Sequence, residues 1–416
     1  MRIAVRKLGS FERTIEKQWA AFCERESHQI EKTAASDLRL EIIPFDIPDL
    51  RAALFDREGL KRGDFDMAFV VTDWIAEAVA GQHLVDLQSF LKTSPPENYP
   101  AGWDKSLLRF QTYENEMYGL PFHTGHKCLI YRKDLFEDQK EQEDYEERFD
   151  HPLRVPQTWA EFTQVARFFN RPSDGMSGVV FVASQDGYNT ICDFWIYVWS
   201  RGGGLFDGNE RIRLDQPLVE ETLDFYRRTV NDSTVMNVKT RTLDALESRT
   251  VLAKGEAAMM WNWFSCAAEC ETMAESNVKG RVGLAPFPKE SRPHGFSLNV
   301  YWILGVASGS QSKELAYRFI KHCASEAMDR LLTHEGGNGS RLSTWQDDQL
   351  NQEIPFYHEL ASLQKEAGDM PRHPKWHRLG TIIDDMMNQA ISTKRSISDI
   401  TREGQQRAEE ISKVSP

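Results

Sequence analysis

Four tryptophans stand at or beside the ends of apolar runs that read as strands. Trp74 follows Met67 to Val71, Trp261 and Trp263 follow Ala257 to Met260, and Trp302 opens the run that ends at Ala307. A flat indole face attracts apolar C–H surface, while its N–H wants a partner. Near them lie side chains that can fix hydroxyl groups: Ser10 after the first strand, Asp73 beside Trp74, His123 and Thr124 after Gly119-Leu120-Pro121, and Asn299 and Tyr301 beside Trp302. Further along, Tyr188 adds an aromatic face, and Gly203 and Gly204 would let backbone approach a ligand closely. These residue types together suit a molecule with apolar faces and a belt of hydroxyls. Each has a plainer alternative: core packing for a tryptophan, an internally satisfied ring for His123, a helix stop for the glycines.

Arg341 follows a glycine-rich turn, Gly336-Gly337-Asn338-Gly339-Ser340. A guanidinium there can hold a carboxylate, sulfonate or phosphate bidentately. With His123, His126 and the Arg6-Lys7 pair it would make a locally basic site in an acidic chain and favour an acidic ligand. The alternative is an ion pair with an Asp or Glu of the protein itself. Catalytic signatures do not stand beside these residues: the chain has no GxSxG elbow, no HExxH, no GxxxxGK[ST] loop and no GxGxxG after a strand. No cofactor or metal is implied, and the pattern favours binding over catalysis. A glycoside hydrolase or other carbohydrate-active enzyme stays open as an alternative, because its two carboxyls are recognised by separation in space.

Such residues need a scaffold that gathers strand ends. Ile3 to Val5 is a short β-type run, Phe11 to Arg25 has helical spacing, Leu38 to Phe45 is strand-like, Leu50 to Leu60 helical, and Met67 to Val71 a strand again. A βαβαβ order predicts a mostly parallel sheet flanked by helices, with ligands beyond the carboxyl ends of the strands. Contacts are therefore expected in Leu8 to Phe11, Phe45 to Pro48 and Thr72 to Trp74. Thr158, with Glu161 three residues on, predicts a capping box opening a helix. Phe194 to Ser200 reads as an aromatic helix stopped by Gly202-Gly203-Gly204, and the acidic stretch Glu137 to Asp150 as a solvated helix or loop.

A chain of 416 residues exceeds one ordinary core and fits two bodies of roughly 150 to 250 residues each. No apolar run approaches the ~18 residues that span a bilayer. The formal charge of −13 opposes a phosphate backbone and argues against nucleic acid as a partner. Six cysteines (Cys23, Cys128, Cys192, Cys266, Cys270, Cys323) are scattered without CxxC pairs and read as buried thiols, with a disulfide or redox pair as the alternative. Met1 leads straight into strand-like Arg2-Ile3-Ala4-Val5, so a secretory signal is expected either to have been removed or not to be used.

Several segments, in order, resemble the extracellular solute-binding proteins of sugar ABC transporters, the broad family that includes maltose-binding protein. The markers are Asp64-Phe65-Asp66-Met67 with Trp74 and Gly81 to Leu87; Tyr118-Gly119-Leu120-Pro121 leading to Leu129 to Phe136; Pro156 to Trp159; Lys254 to Met259; Gly283 to Pro288; Ser312 to Ile320; and Gly336 to Arg341. The likeness covers nearly the whole chain. It implies an α/β, two-lobed periplasmic-binding-protein fold, each lobe a mostly parallel sheet flanked by helices, with the ligand cleft between the lobes. It further implies a lobe of residues 1–123 plus 285–328, another of 124–284 plus 329–416, and hinge crossings near 123–127, 282–285 and 323–332. The function so implied is the substrate-binding component of an ABC importer, a monomer that closes on a sugar or sugar derivative and delivers it to membrane permease subunits from the periplasm. A non-sugar solute such as a polyamine is the remaining alternative, disfavoured because the strand-end loops are not markedly acidic.

Overall fold

The computed structural model describes residues 1–29, 38–290 and 296–413. Its strands, in chain order, are β1 (Arg2–Arg6), β2 (Glu41–Phe45), β3 (Met67–Val71), β4 (Thr112–Tyr113), β5 (Glu116–Met117), β6 (Leu120–His123), β7 (His126–Arg132), β8 (Ser177–Phe181), β9 (Ala257–Trp263), β10 (Val282–Ala285), β11 (Ser297–Asn299), β12 (Trp302–Val306) and β13 (Ala367–Gly368). The helices that matter below are α1 (Ser10–Gln29), α2 (Trp159–Phe169), α3 (Asn189–Ser200), α4 (Lys313–Cys323) and α5 (Glu326–His334). The chain divides into two compact units. Unit 1 holds residues 1–125, 299–350 and 371–374; unit 2 holds 126–298, 351–370 and 375–416.

Unit 1 is built on a five-stranded sheet in the order β2-β1-β3-β12-β6. The parallel pairing expected from the first third of the sequence is present in β2-β1-β3, while β12 runs antiparallel to both β3 and β6. Every side chain of β3, Met-Ala-Phe-Val-Val, is buried. Such an unbroken apolar run is the mark of a strand covered on both faces. On α1 the buried residues Phe11, Ile15 and Phe22 recur at helical spacing. Their burial contributes on the order of 5 kcal/mol. Phe22 and its neighbour Trp19 meet Phe319 of α4 edge-on, at centroid separations of 5.4 and 5.0 Å.

Unit 2 carries a mixed sheet in the order β13-β11-β7-β9-β8, with β10 also pairing β7. β8 and β9 are parallel; β7 is antiparallel to β9 and to β10. Thr158 caps α2 through the N–H of Glu161 at 3.2 Å. The Glu161 carboxylate reaches past the cap to the N–H of Gln157 at 2.8 Å, so the predicted box forms one residue wider than its ideal pattern. α3 stops where the sequence places its glycines: the N–H groups of Gly202 and Gly203 close on the carbonyls of Trp199 and Val198, with Gly202 at φ +74°. The acidic stretch is helical over Gln139–Phe149, with Tyr145 as its buried residue.

The 329–350 segment belongs to unit 1, whereas the sequence resemblance implies a return to the other lobe after about 328. The reason lies in buried Asp329. Its carboxylate accepts from the N–H groups of Ser340 and Arg341 and from the Thr344 hydroxyl, at 2.8, 3.2 and 2.6 Å, which fastens the glycine-rich turn to α5. Five described cysteines are buried, Cys23 is half-buried, and all six are free thiols. No helix among the described residues is long and apolar enough to cross a membrane.

Candidate functional site

In unit 1 the carboxyl ends of β1, β3 and β6 and the opening of β12 gather most of the residues singled out from the sequence. β6 ends at His123, whose register partner is Trp302. The imidazole is buried at 8% exposure, packs edge-to-face on Phe11 at 4.9 Å, and accepts at Nδ1 from the backbone N–H of Asn338 at 2.9 Å. Burial, reinforced by the Arg6 charge, pushes its pKa down to about 3, so the ring is neutral. Ser10 is also buried and opens α1, and its Cβ lies 3.9 Å from where a side chain added at Gly336 would begin.

Several neighbours are committed to holding this region together. Thr124 is buried and exchanges bonds with Asn338: its N–H donates to the Asn338 carbonyl at 2.9 Å, and its own carbonyl accepts from the Asn338 amide at 3.4 Å. Asn299 is buried, accepting from the N–H of Gly125 at 3.2 Å and donating to the Thr124 hydroxyl at 3.4 Å. Tyr301 is fully buried, and its hydroxyl meets the Leu107 carbonyl at 2.6 Å and Gln111 at 3.1 Å. Trp74 and Trp302 are 4% exposed and stack edge-to-face at 5.8 Å, with the Arg6 guanidinium 5.6 Å from the Trp302 ring. Asp73 sits half-buried in the single turn Thr72–Trp74.

Arg341 takes the second of its two readings. Its side chain is fully buried; its guanidinium donates to the carbonyls of Ala324 at 2.7 Å and Glu97 at 3.0 Å, pairs with Glu326 at 3.3 Å, and lies 4.3 Å from the Trp103 ring. A guanidinium so engaged has no fork left for an external carboxylate. His126 is likewise engaged within its own unit, buried with Nε2 against Gln364 at 2.7 Å.

In unit 2 the structure separates two tryptophans that the sequence treats alike. Two apart on β9, they start on the same face; what separates them is their place along the strand, Trp261 within it and Trp263 at its last residue. Trp261 is fully buried against Trp159, Phe181 and Phe287 and belongs to the core, which corrects its assignment to a ligand face. Trp263, at the strand end, is half-buried; its ring lies near-parallel to that of half-buried Tyr188, at 6.0 Å and 23°. Its indole N–H donates to the Asn189 side chain at 2.8 Å. Tyr188 precedes α3, whose 12 residues extend about 18 Å before Gly203 and Gly204 are reached, so those glycines lie at the other end of the helix from the aromatic pair. A side chain at Gly203 would collide with Leu218, whereas Gly204 faces open space; both belong to the helix stop.

Beneath the aromatic pair lies a polar chain of residues outside the candidate set. The Lys127 ammonium is fully buried 5.3 Å from the Trp263 ring, pairs with fully buried Asp193, and also reaches the Asn189 carbonyl at 3.3 Å. Asp193 has Tyr226 on its other oxygen at 3.3 Å; burial pushes its pKa up to about 6 although Lys127 pulls the other way. Asp186 accepts from the N–H groups of Tyr188 and Asn189 at 3.0 and 2.7 Å and from the Asn189 amide at 2.7 Å. A lysine inside an apolar strand, His-Lys-Cys-Leu-Ile-Tyr-Arg, was the available signal: a buried ammonium requires a carboxylate close by.

A family model described as bacterial extracellular solute-binding protein matches residues 54–329, well over half of the chain. Among curated proteins, the mannitol-binding protein of Pseudomonas aeruginosa is 24% identical over 266 residues, 62% of this chain and 57% of that protein. A probable amino-acid ABC transporter periplasmic-binding protein of Sinorhizobium fredii is 23% identical over 298 residues, 71% of this chain and 64% of that protein. The chain thus spans about three fifths of the length of these relatives. Among solved structures, a solute-binding protein of Agrobacterium radiobacter in complex with ribitol superposes with a TM-score of 0.82 at 21% identity, covering 99% of this chain and 98% of the other. The maltose-bound MalE3 of T. maritima gives 0.80 at 23%, covering 99% of each chain. A solute-binding protein of Agrobacterium vitis with D-mannitol gives 0.79 at 19%, covering 99% and 98%. The fold is thereby that of the sugar and polyol binders of ABC transporters, and on the family match over residues 54–329 this chain belongs to the bacterial extracellular solute-binding proteins.

Proposed function

We propose that this chain captures a sugar or polyol outside the cytoplasmic membrane, in the periplasm, and hands it unchanged to the permease of an ABC importer. One observation carries the choice of solute: the half-buried Trp263 and Tyr188 present a near-parallel aromatic surface whose edge is fixed by Asn189. An apolar face bordered by oriented hydrogen-bonding groups is the complement of a polyhydroxylated carbon chain or ring. The mannitol-, ribitol- and maltose-binding relatives support the same class. The commitment of Arg341 to its own unit removes the main reason to favour an acidic sugar. Binding without catalysis needs only a differential affinity between conformations of the protein.

A thermal-shift panel of polyols, neutral sugars, uronates, amino acids and polyamines tests this reading. At a hundredfold excess over Kd, a solute that binds only the folded chain stabilises it by about 2.7 kcal/mol. A polyol or neutral sugar is expected to give the largest shift and to be recovered intact. A shift confined to amino acids or polyamines, or conversion of the sugar to product, overturns the proposal.

A further inference from the structure

We propose that His123 offers the solute one permanent hydrogen-bond donor, its Nε2–H, and that the glycine-rich turn at 336–341 is the device that keeps it a donor. The inference rests on the sugar or polyol reading and deepens it, because it names what the ligand must supply at this point: an oxygen lone pair.

The argument starts from the Asn338 N–H, which donates to Nδ1 at 2.9 Å. A backbone N–H can only donate, so Nδ1 must carry a lone pair, and the single proton of the neutral ring sits on Nε2. An imidazolium would set two donors against each other in a buried place. Among the described residues Nε2 has no protein partner, and the ring retains a small exposed edge. The ring cannot turn to exchange its nitrogens freely, since Phe11 packs against it at 4.9 Å.

The turn is as constrained as the ring. Its N–H groups at Gly339 and Ser340 are held by the Thr333 hydroxyl at 3.1 Å and by Asp329 at 2.8 Å. The Asn338 carbonyl and amide are both engaged with the Thr124 backbone. Gly339 packs so closely that an added Cβ would lie 2.4 Å from an Asp329 carboxylate oxygen. Asp329, Thr333 and Asn338 are thus positioning residues: they set the tautomer of a group that would touch the solute. An N–H donor recognises a hydroxyl or carboxylate oxygen and rejects an ammonium, so polyamines and other amines are disfavoured at this point whatever the rest of the site does.

The test uses the full chain labelled with ¹⁵N-histidine, with D-mannitol and maltose as probes. Long-range ¹H–¹⁵N spectra, assigned with His123→Gln, are expected to show the Nε2–H tautomer in the free protein and a shift of that proton on addition of whichever probe binds. His123→Leu should weaken that probe about 10- to 100-fold, while His123→Gln, which keeps a donor, should recover most of the loss. Gly339→Ala, which displaces the turn, should raise the Nδ1–H population in the free protein. An Nδ1–H ring in the wild type overturns the inference. So does a bound probe that leaves the His123 signals unmoved with His123→Leu binding within twofold, an outcome that leaves the sugar or polyol reading intact. If neither probe nor any sugar or polyol of the panel binds, that reading falls and takes this inference with it, even with the tautomer as expected.

Discussion

Truncating Arg341 would strip the Glu97 and Ala324 carbonyls of their donors in a space closed to water and leave a void beside the Trp103 ring. Arg341→Ala is therefore expected to lower unfolding free energy by about 2–4 kcal/mol in urea titrations while leaving solute affinity within twofold. A large loss of affinity at unchanged stability would return Arg341 to the ligand. The same residue shows what could be read from sequence at this scale. Its place after a glycine-rich turn was visible, but which partners its fork finds depends on Glu97, far away in sequence. Trp261 and Trp263 make the point more sharply, since two residues of offset on one strand separate a core side chain from a surface one only once the strand's end is known. The histidine was legible as a candidate, and its Asn338 partner was not, because backbone donors carry no residue signature. Lys127 was the missed opportunity: its burial follows from the strand around it, and its need for Asp193 follows from burial.

At the level of elements, the stop of α3 separates two glycines with different duties. A Cβ at Gly203 would stand 1.8 Å from a Leu218 methyl, whereas Gly204 meets nothing within 4 Å. Gly203→Ala should cost about 1–3 kcal/mol as Leu218 is forced to repack, and Gly204→Ala should change stability by less than about 0.5 kcal/mol. Equal and small effects on both, in thermal melts, would mean that the Leu218 contact is not tight. A loss of solute affinity in Gly204→Ala would restore that glycine to the site. Strands such as β3 and the α2 cap were readable because burial on both faces and a Thr-x-x-Glu spacing leave local signatures. The direction and neighbours of β12 left none. A strand of Trp-Ile-Leu-Gly-Val looks the same whether it pairs parallel or antiparallel, and its place between β3 and β6 is decided by strands more than a hundred residues earlier.

For the molecule as a whole, two histidines that fold uncharged contribute to the response of stability to acid. His123 and His322 are pushed down to about 3 and about 4 by burial, each with an arginine charge adding to the effect. In the unfolded chain both bind a proton near pH 6.5, so below that pH the unfolded state holds more protons and stability falls as pH falls. Asp193, pushed up to about 6, acts in the opposite sense between about pH 4 and 6. Comparison with a variant cancels such shared contributions. Between pH 6.5 and 5, His123→Gln/His322→Gln should lose up to about 4 kcal/mol of the wild type's pH dependence, measured by urea titration at each pH. Parallel curves for the two proteins would show that these rings are protonated in the fold. A last consequence follows from the central place of β12 in the first sheet. While the chain is being synthesised, β3 and β6 have no strand to join them until residue 306 has left the ribosome. Everything before it must wait with two raw sheet edges, a long interval in which a nascent chain stays threadable and dependent on whatever shields it from self-association.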